Sequence, residues 1–114
     1  MSVTSLATFS PEKYCRVPIG KSKGLMRLLC FEPEQGVALH THPNSDEFFF
    51  VVEGKGRITI EGEGQDAKPG SIIRVPAGLA HRWNSEAQRL VLLSVLIPTP
   101  AYGFVDEAVE QKFV

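Results

Sequence analysis

The stretch 36–54 contains the residues of this chain whose types and spacing could do chemistry. His40 and His42 are separated by one residue, and such residues point to the same face of a β-strand, so two imidazoles would stand side by side. Glu47 precedes a run of five apolar residues, where an ionised carboxylate is costly unless it is paired or binds a cation. A turn that contains Pro43 lets the chain reverse and bring Glu47 beside the two histidines.

The third histidine, His81, lies in a second segment, which is punctuated by Gly70, Pro76 and Gly78. The chain has three histidines, so these two segments contain all of them. Histidine nitrogens and carboxylate oxygens are donors that bind divalent first-row metal ions. The two segments therefore hold the candidate metal-binding residues.

Both segments resemble the signature motifs of the cupin superfamily. The first motif has two histidines one residue apart, then a glutamate and a glycine, and the second has glycine, proline, glycine and histidine. The residues that match these positions are His40, His42, Glu47, Gly54, Gly70, Pro76, Gly78 and His81. Two spacings differ from the family pattern: Gly36 stands four residues before the first histidine instead of six, and Asn84 comes one residue early. Together the motifs cover nearly half of the chain.

The resemblance implies an all-β fold, the cupin jelly-roll β-barrel or double-stranded β-helix. It also implies that His40, His42, Glu47 and His81 bind one divalent metal ion per chain. Three imidazoles and one carboxylate, without a thiolate, suit Fe, Mn, Ni, Zn or Cu. One or two coordination positions would stay open for water, dioxygen or a chelating substrate.

Short apolar segments separated by turn residues agree with an all-β domain. We predict strands at 25–31, 37–42, 47–53, 57–61, 80–84 and 90–97, and one more that ends at Pro76. Residues 62–65 are predicted to be a tight connection. The prediction divides the single domain 1–114 into an extended N-terminal arm (1–23), the barrel (24–100) and a C-terminal tail (101–114). In the tail, Val105, Val109 and Phe113 recur every four residues and predict a short helix.

Length and composition narrow the possible partners. The 114 residues suffice for one domain with one core. The net charge is −1 and the basic residues are scattered, which argues against a nucleic-acid partner. No apolar stretch approaches the roughly 20 residues of a membrane span, and the N-terminus does not resemble a secretory signal. Cys15 and Cys30 do not form a C-x-x-C motif, which favours free thiols and a cytoplasmic protein.

Strand parity suggests which apolar residues line the predicted cavity. Phe49 and Val51 share the parity of Glu47, so they should face the same interior. Trp83 shares the parity of His81 and is a candidate for the cavity wall.

Polar candidates for substrate binding are less specific. Arg27, Arg57 and Arg74 fall in predicted strands, and any that points inward could bind a substrate carboxylate in bidentate fashion. Tyr102 or Phe104 could form part of a lid after the last strand. The candidate substrate-binding residues are Phe49, Val51, Trp83, Arg27, Arg57 and Tyr102.

Apolar residues that the barrel interior does not use predict a homodimer. Phe48, Phe50 and Val52 should face away from the metal, and Leu6 and Phe9 lie in the N-terminal arm. Left exposed with the apolar stripe of the tail, they would form a patch larger than monomers usually carry. The resemblance implies the same state, since small cupins commonly pair two barrels through one sheet of each.

Two classes of function stay open. The first is a small metalloenzyme, either a dioxygenase or a metal-assisted isomerase or lyase, that acts on a compact oxygenated metabolite. The metal would serve as Lewis acid or dioxygen anchor. The second is a non-catalytic module that binds or senses a small molecule such as a sugar or carboxylate. A complete ligand set without a DNA-binding helical domain favours the enzyme, although no further acid or base stands out.

Overall fold

The structure is a computed structural model that describes residues 2–100. Within these residues the chain forms one short helix and eight β-strands. In chain order they are α1 (Val3–Leu6), β1 (Cys15–Lys21), β2 (Leu25–Phe31), β3 (Asp46–Glu53), β4 (Gly56–Ile60), β5 (Glu63–Ala67), β6 (Ile72–Val75), β7 (His81–Ser85) and β8 (Leu90–Ile97). No helix in this range is long and apolar enough to span a membrane.

The strands form two sheets, which make the jelly roll. One sheet has five strands in the order β1-β2-β8-β3-β6, and the other has three in the order β5-β4-β7. Their strand pairs are antiparallel. The two ladders do not join into one closed barrel within the described residues, but the all-β jelly-roll prediction is confirmed.

Alternation along the strands of the five-stranded sheet divides its side chains between two faces. Phe49 and Val51 of β3 point inward and are buried with residues of the three-stranded sheet, among them Ile58 and Trp83. On the outer face, Leu28, Cys30 and Val91 form a second cluster, against which the N-terminal residues Leu6, Ala7 and Phe9 pack. The sheet is thus apolar on both faces.

Three local predictions were wrong. Residues 37–42 do not form a strand, because this segment pairs with β7 only at single points, such as the bridge between His40 and His81. Residues 1–23 are not simply an extended arm. They contain α1, which begins with a capping box between Ser2 and Ser5, and the edge strand β1, where a bulge accommodates Pro18.

The third correction concerns β5, since its first residues were predicted to be a tight connection. Its sequence, EGQDA, is polar and mostly exposed, so it has no apolar alternation to reveal it. Its pairing with β4 follows from the turn, where Glu61 and Gly62 both have positive φ, as type I′ hairpin turns require. The predicted C-terminal helix lies outside the described residues.

Gly54 lies in the turn after β3, where there is no room for a side chain. Its φ is +81°, and a Cβ would lie 1.7 Å from the carbonyl oxygen of Arg89. Gly62 has almost the same φ, +83°, but a Cβ there would meet no atom within 4 Å. We expect Gly62→Ala to cost about 1–2 kcal/mol of unfolding free energy for the left-handed backbone alone. Gly54→Ala should cost clearly more in urea unfolding, and equal losses would contradict the steric explanation.

Candidate metal centre

The structure brings His40, His42, Glu47 and His81 together in the interior of the jelly roll. One potential ligand atom from each residue lies within 4.8 Å of those of the other three. His42, Glu47 and His81 are almost completely buried, and His40 is partly buried. The cluster is therefore a candidate metal site with limited access to solvent.

Backbone contacts hold the three histidines in place. His40 and His81 exchange backbone hydrogen bonds of 3.1 and 2.9 Å, so the loop before β3 is anchored to the start of β7. The carbonyl of His42 accepts a hydrogen bond from the Gly78 N–H at 3.0 Å. The histidine ring centroids lie 4.5 to 5.6 Å apart. The two motifs of the sequence thus meet at this point.

Side-chain contacts also fix the orientation of two imidazoles. Nδ1 of His40 lies 2.7 Å from the Ala38 carbonyl oxygen, and Nδ1 of His81 lies 2.9 Å from that of Leu79. Because a carbonyl only accepts, each Nδ1 donates a proton, and Nε2 is the nitrogen of each ring that stays available to the cluster. This is the way in which metal-binding histidines are usually oriented. Burial, with a contribution from His81, lowers the pKa of His40 and so favours its neutral form.

The carboxylate of Glu47 divides its two oxygens between different partners. Oε1 faces the imidazoles and lies 3.0 Å from Nε2 of His81 and 3.4 Å from Nε2 of His42. Oε2 accepts a hydrogen bond of 2.5 Å from Ser94 Oγ and lies 3.5 Å from Nη2 of Arg27. One oxygen is thus available to a metal ion, while the other is held in place by the protein.

Glu47 is ionised despite its burial. Burial by itself raises the pKa of this carboxyl group. Hydrogen bonds with His42 and His81 and the positive charge of Arg27 outweigh that effect and hold the pKa well below its usual value. The buried anion therefore depends on cationic and hydrogen-bonding partners.

The cluster fits a divalent metal ion by its own chemistry. Nδ1 of His81 donates its proton to Leu79, and Nε2 of the same ring lies 3.0 Å from Oε1 of Glu47. Two acceptors at this distance repel each other unless a proton or a metal ion lies between them. Three imidazoles and one carboxylate oxygen form a donor set that suits first-row divalent ions.

Three of the predicted substrate-binding residues lie in the same interior. Phe49, Val51 and Trp83 are each at most 2% exposed. The Phe49 ring contacts two aromatic groups of β7, with its centroid 5.4 Å from that of Trp83 and 6.1 Å from that of His81. Trp83 Nε1 is buried and has no hydrogen-bond partner in residues 2–100. This indole N–H is thus a free donor inside the jelly roll.

The remaining candidates differ in position. Arg27 is buried beside Glu47, so it contacts a predicted ligand. Arg57 points to solvent and pairs with Asp66 at 2.8 Å, so the structure does not bring it to the cluster. Arg74 is also exposed. Tyr102 and Phe104 lie outside the described residues.

Sequence reasoning missed Ser94, which contacts the candidate site. Ser94 is fully buried in the middle of the apolar strand β8, and its hydroxyl contacts Glu47. The sequence does contain a sign of this contact. Ser94 alternates with Leu92 and Leu96 along β8, so its hydroxyl points to the interior and needs a hydrogen-bond partner there.

Comparisons with known proteins identify the family to which this fold belongs. A model of the cupin domain matches residues 27–96. The chain is 33% identical to polyketide synthase CurC of Streptomyces cyaneus over 94 residues, which cover 79% of this chain and 61% of that protein. It is also 33% identical to 5-nitrosalicylic acid 1,2-dioxygenase of a Bradyrhizobium species over 87 residues, 70% of this chain and 42% of that protein. This chain thus spans less than two thirds of the length of either relative.

A solved structure has a similar fold over most of this chain. The crystal structure of TT1209 from Thermus thermophilus superimposes with a TM-score of 0.83 at 29% identity, covering 88% of this chain and 97% of that one. The family model alone covers more than half of this chain and includes the four clustered residues. The chain therefore belongs to the cupin family.

Proposed function

We propose that this protein is a small metal-dependent cupin enzyme, a dioxygenase that acts on a compact oxygenated metabolite. His40, His42, Glu47 and His81 would hold one divalent first-row ion, with iron as the first candidate. The observation that carries this proposal is the buried cluster in which Nδ1 of two histidines is already anchored, so that their Nε2 atoms are directed to a common centre. When bound, the ion would supply Lewis acidity and open positions for dioxygen and substrate.

The described residues favour oxygenation over acid–base chemistry. An isomerase or lyase that moves protons needs a general acid or base in addition to the metal ligands. Within residues 2–100, Glu47 is the one buried carboxylate, and it is itself one of the proposed metal ligands. The similarity to 5-nitrosalicylic acid 1,2-dioxygenase supports the same reaction class.

The protein's own residues would bind and orient the substrate. Phe49 and Val51 form an apolar wall beside the cluster, which suits a flat or compact carbon skeleton. Trp83 would donate its unpaired N–H to a substrate oxygen. The burial of the cluster limits the entry of water. A module that only binds or senses a sugar or carboxylate would use the same wall and donor, and it would differ in showing no turnover.

We further propose that the protein is a homodimer in the cytoplasm. The outer face of the five-stranded sheet carries exposed apolar side chains on neighbouring strands, with Met26, Phe50, Ile72 and Ile97 between 38% and 75% exposed. Phe50 and Ile72 are cross-strand partners, so they form one continuous surface. A second copy could cover this surface by a two-fold contact. The free thiols of Cys15 and Cys30 support a reducing compartment.

We expect Glu47→Gln to lower the affinity for a divalent metal by more than about tenfold, because the amide loses the charge that faces the imidazoles. His81→Ala should do the same. Asp46→Asn is the matched control, since Asp46 is the neighbouring carboxylate but bonds to the Ala77 N–H near the surface. Competitive Zn(II) titration measures the affinity, and elemental analysis should give one ion per chain of the parent protein.

The same variants test the reaction. The parent protein loaded with Fe(II) should consume dioxygen with members of a panel of catechols and hydroxy acids, whereas Glu47→Gln should not. A parent protein that binds metal and panel compounds without turnover would contradict the enzyme proposal and favour the binding module. Equal metal loss in Asp46→Asn and Glu47→Gln would show that the site is wrongly assigned.

We expect Trp83→Phe to weaken ligand binding without changing the metal affinity. Phenylalanine keeps an aromatic ring against Phe49 but lacks the indole N–H. The loss of one hydrogen bond should reduce the affinity of the Zn(II)-loaded protein for 4-nitrocatechol by about fivefold to tenfold. Trp83 is the one tryptophan of the chain, so its indole N–H resonance in an NMR titration reports the contact directly. An unchanged affinity and an unmoved resonance would rule out this role.

We expect Phe50→Lys combined with Ile72→Lys to convert a dimer into a monomer in sedimentation experiments. Both side chains are exposed in the single chain, so the substitutions should leave its fold intact. Leu39→Lys is the matched control, because Leu39 is also exposed but precedes β3 and lies outside the sheet. A parent protein that sediments as a monomer at micromolar concentration would refute the dimer.

A further inference from the structure

The two cysteines of the chain lie directly opposite each other on neighbouring strands. In the antiparallel pair of β1 and β2, Cys15 is the partner of Cys30. Both side chains belong to the apolar cluster on the outer face of the five-stranded sheet, where Cys30 is a buried member and Cys15 packs against it. Both are free thiols in the structure. The strand register therefore brings together two residues that lie far apart in sequence.

This placement brings the two cysteines within the Cα separation of a disulfide. Directly opposed residues of an antiparallel pair have Cα atoms about 4.5 or 5.5 Å apart and side chains on the same face. A disulfide requires Cα atoms about 4.4–6.8 Å apart. Either kind of cross-strand pair thus lies within the Cα range, and a small local adjustment brings the two sulfur atoms to bonding distance.

The environments of the two thiols differ. Cys30 is 0% exposed, and the N-terminal residues that cover its cluster restrict the approach of a reagent. Burial raises the pKa of the Cys30 thiol, and the negative charge of a nearby Cys15 thiolate raises it further. Cys15 is only partly buried, so it is the thiol that a small oxidant can reach.

We propose that Cys15 and Cys30 form a reversible cross-strand disulfide when the chain meets a low-molecular-weight disulfide such as oxidised glutathione. The Cys15 thiolate attacks one sulfur of the oxidant and forms a mixed disulfide, and one small thiol leaves. The Cys30 thiolate then attacks the Cys15 sulfur, and the second small thiol leaves. Two protein thiols are oxidised to one disulfide, and one small disulfide is reduced to two thiols.

The disulfide would link the edge strand β1 covalently to its neighbour β2. Within residues 2–100, β1 is an edge strand and pairs with β2 alone, whereas β2 also pairs with β8. The segment before β1 packs over Cys30. Oxidation would therefore lock β1 and this segment against the jelly roll. The cysteines lie on the outer face, so the proposal does not depend on the metal centre in the interior.

The test is to incubate the Zn(II)-loaded protein with oxidised glutathione and measure intact mass and free thiols in denaturant. Zinc is chosen because it has no redox chemistry of its own. We expect the parent chain to lose both thiols and two hydrogen atoms of mass, with no bound glutathione and no covalent dimer. Oxidation should raise the thermal midpoint by at least about 4 °C, and a reductant should reverse the change.

Single variants separate the two steps. Cys30→Ala should accumulate one glutathione on Cys15, because no second thiol resolves the mixed disulfide. Cys15→Ala should keep its buried Cys30 thiol, and neither variant should gain thermal stability. The proposal is overturned if the parent retains both thiols, carries stable glutathione adducts, or forms a disulfide between two chains instead of within one.

Discussion

The burial of an ionised carboxylate is the constraint on which this structure depends. Glu47 is almost completely removed from water inside an apolar jelly roll, where an unpaired charge would be very costly. Ser94 and Arg27 bind one of its oxygens, and the imidazoles of His42 and His81 face the other. Each partner comes from a different part of the chain, so the charge is stabilised only when both sheets and the intervening loop are in place.

The same constraint explains how polar groups are arranged in the interior. The loop before β3 has no continuous ladder, yet its bridge to His81 and the contact of Ala38 with the His40 ring orient this histidine. The acceptors that meet at the centre require a proton or a metal ion between them. The apolar residues around them raise the strength of every such interaction, because water is largely excluded. A bound metal ion would supply the positive charge that this arrangement of acceptors requires.

The five-stranded sheet has two apolar faces with different consequences. Its inner face forms the wall of the candidate site through Phe49 and Val51. Its outer face is partly covered by the N-terminal segment near Cys30, while Phe50 of β3 and Ile72 of β6 stay exposed. The outer face therefore carries an exposed apolar surface and a pair of thiols, and both lie on the opposite side of the sheet from the candidate metal centre.

The sequence by itself determined the family, the strands with strong apolar patterns and the residues that cluster. Strand β8 was predicted at its observed bounds, and parity placed Phe49 on the inner face, because period-two alternation is a local property of the chain. Tertiary structure alone decided the rest. The polar strand β5 exists because a hairpin turn pairs its backbone with β4, and the burial of the Arg27 charge depends on the pairing that places it beside Glu47. The contact of Ser94 with Glu47 and the register of Cys15 with Cys30 depend on pairing between strands that are separated in sequence. This pairing is fixed only when the whole chain packs, because each strand alone is compatible with several partners and registers.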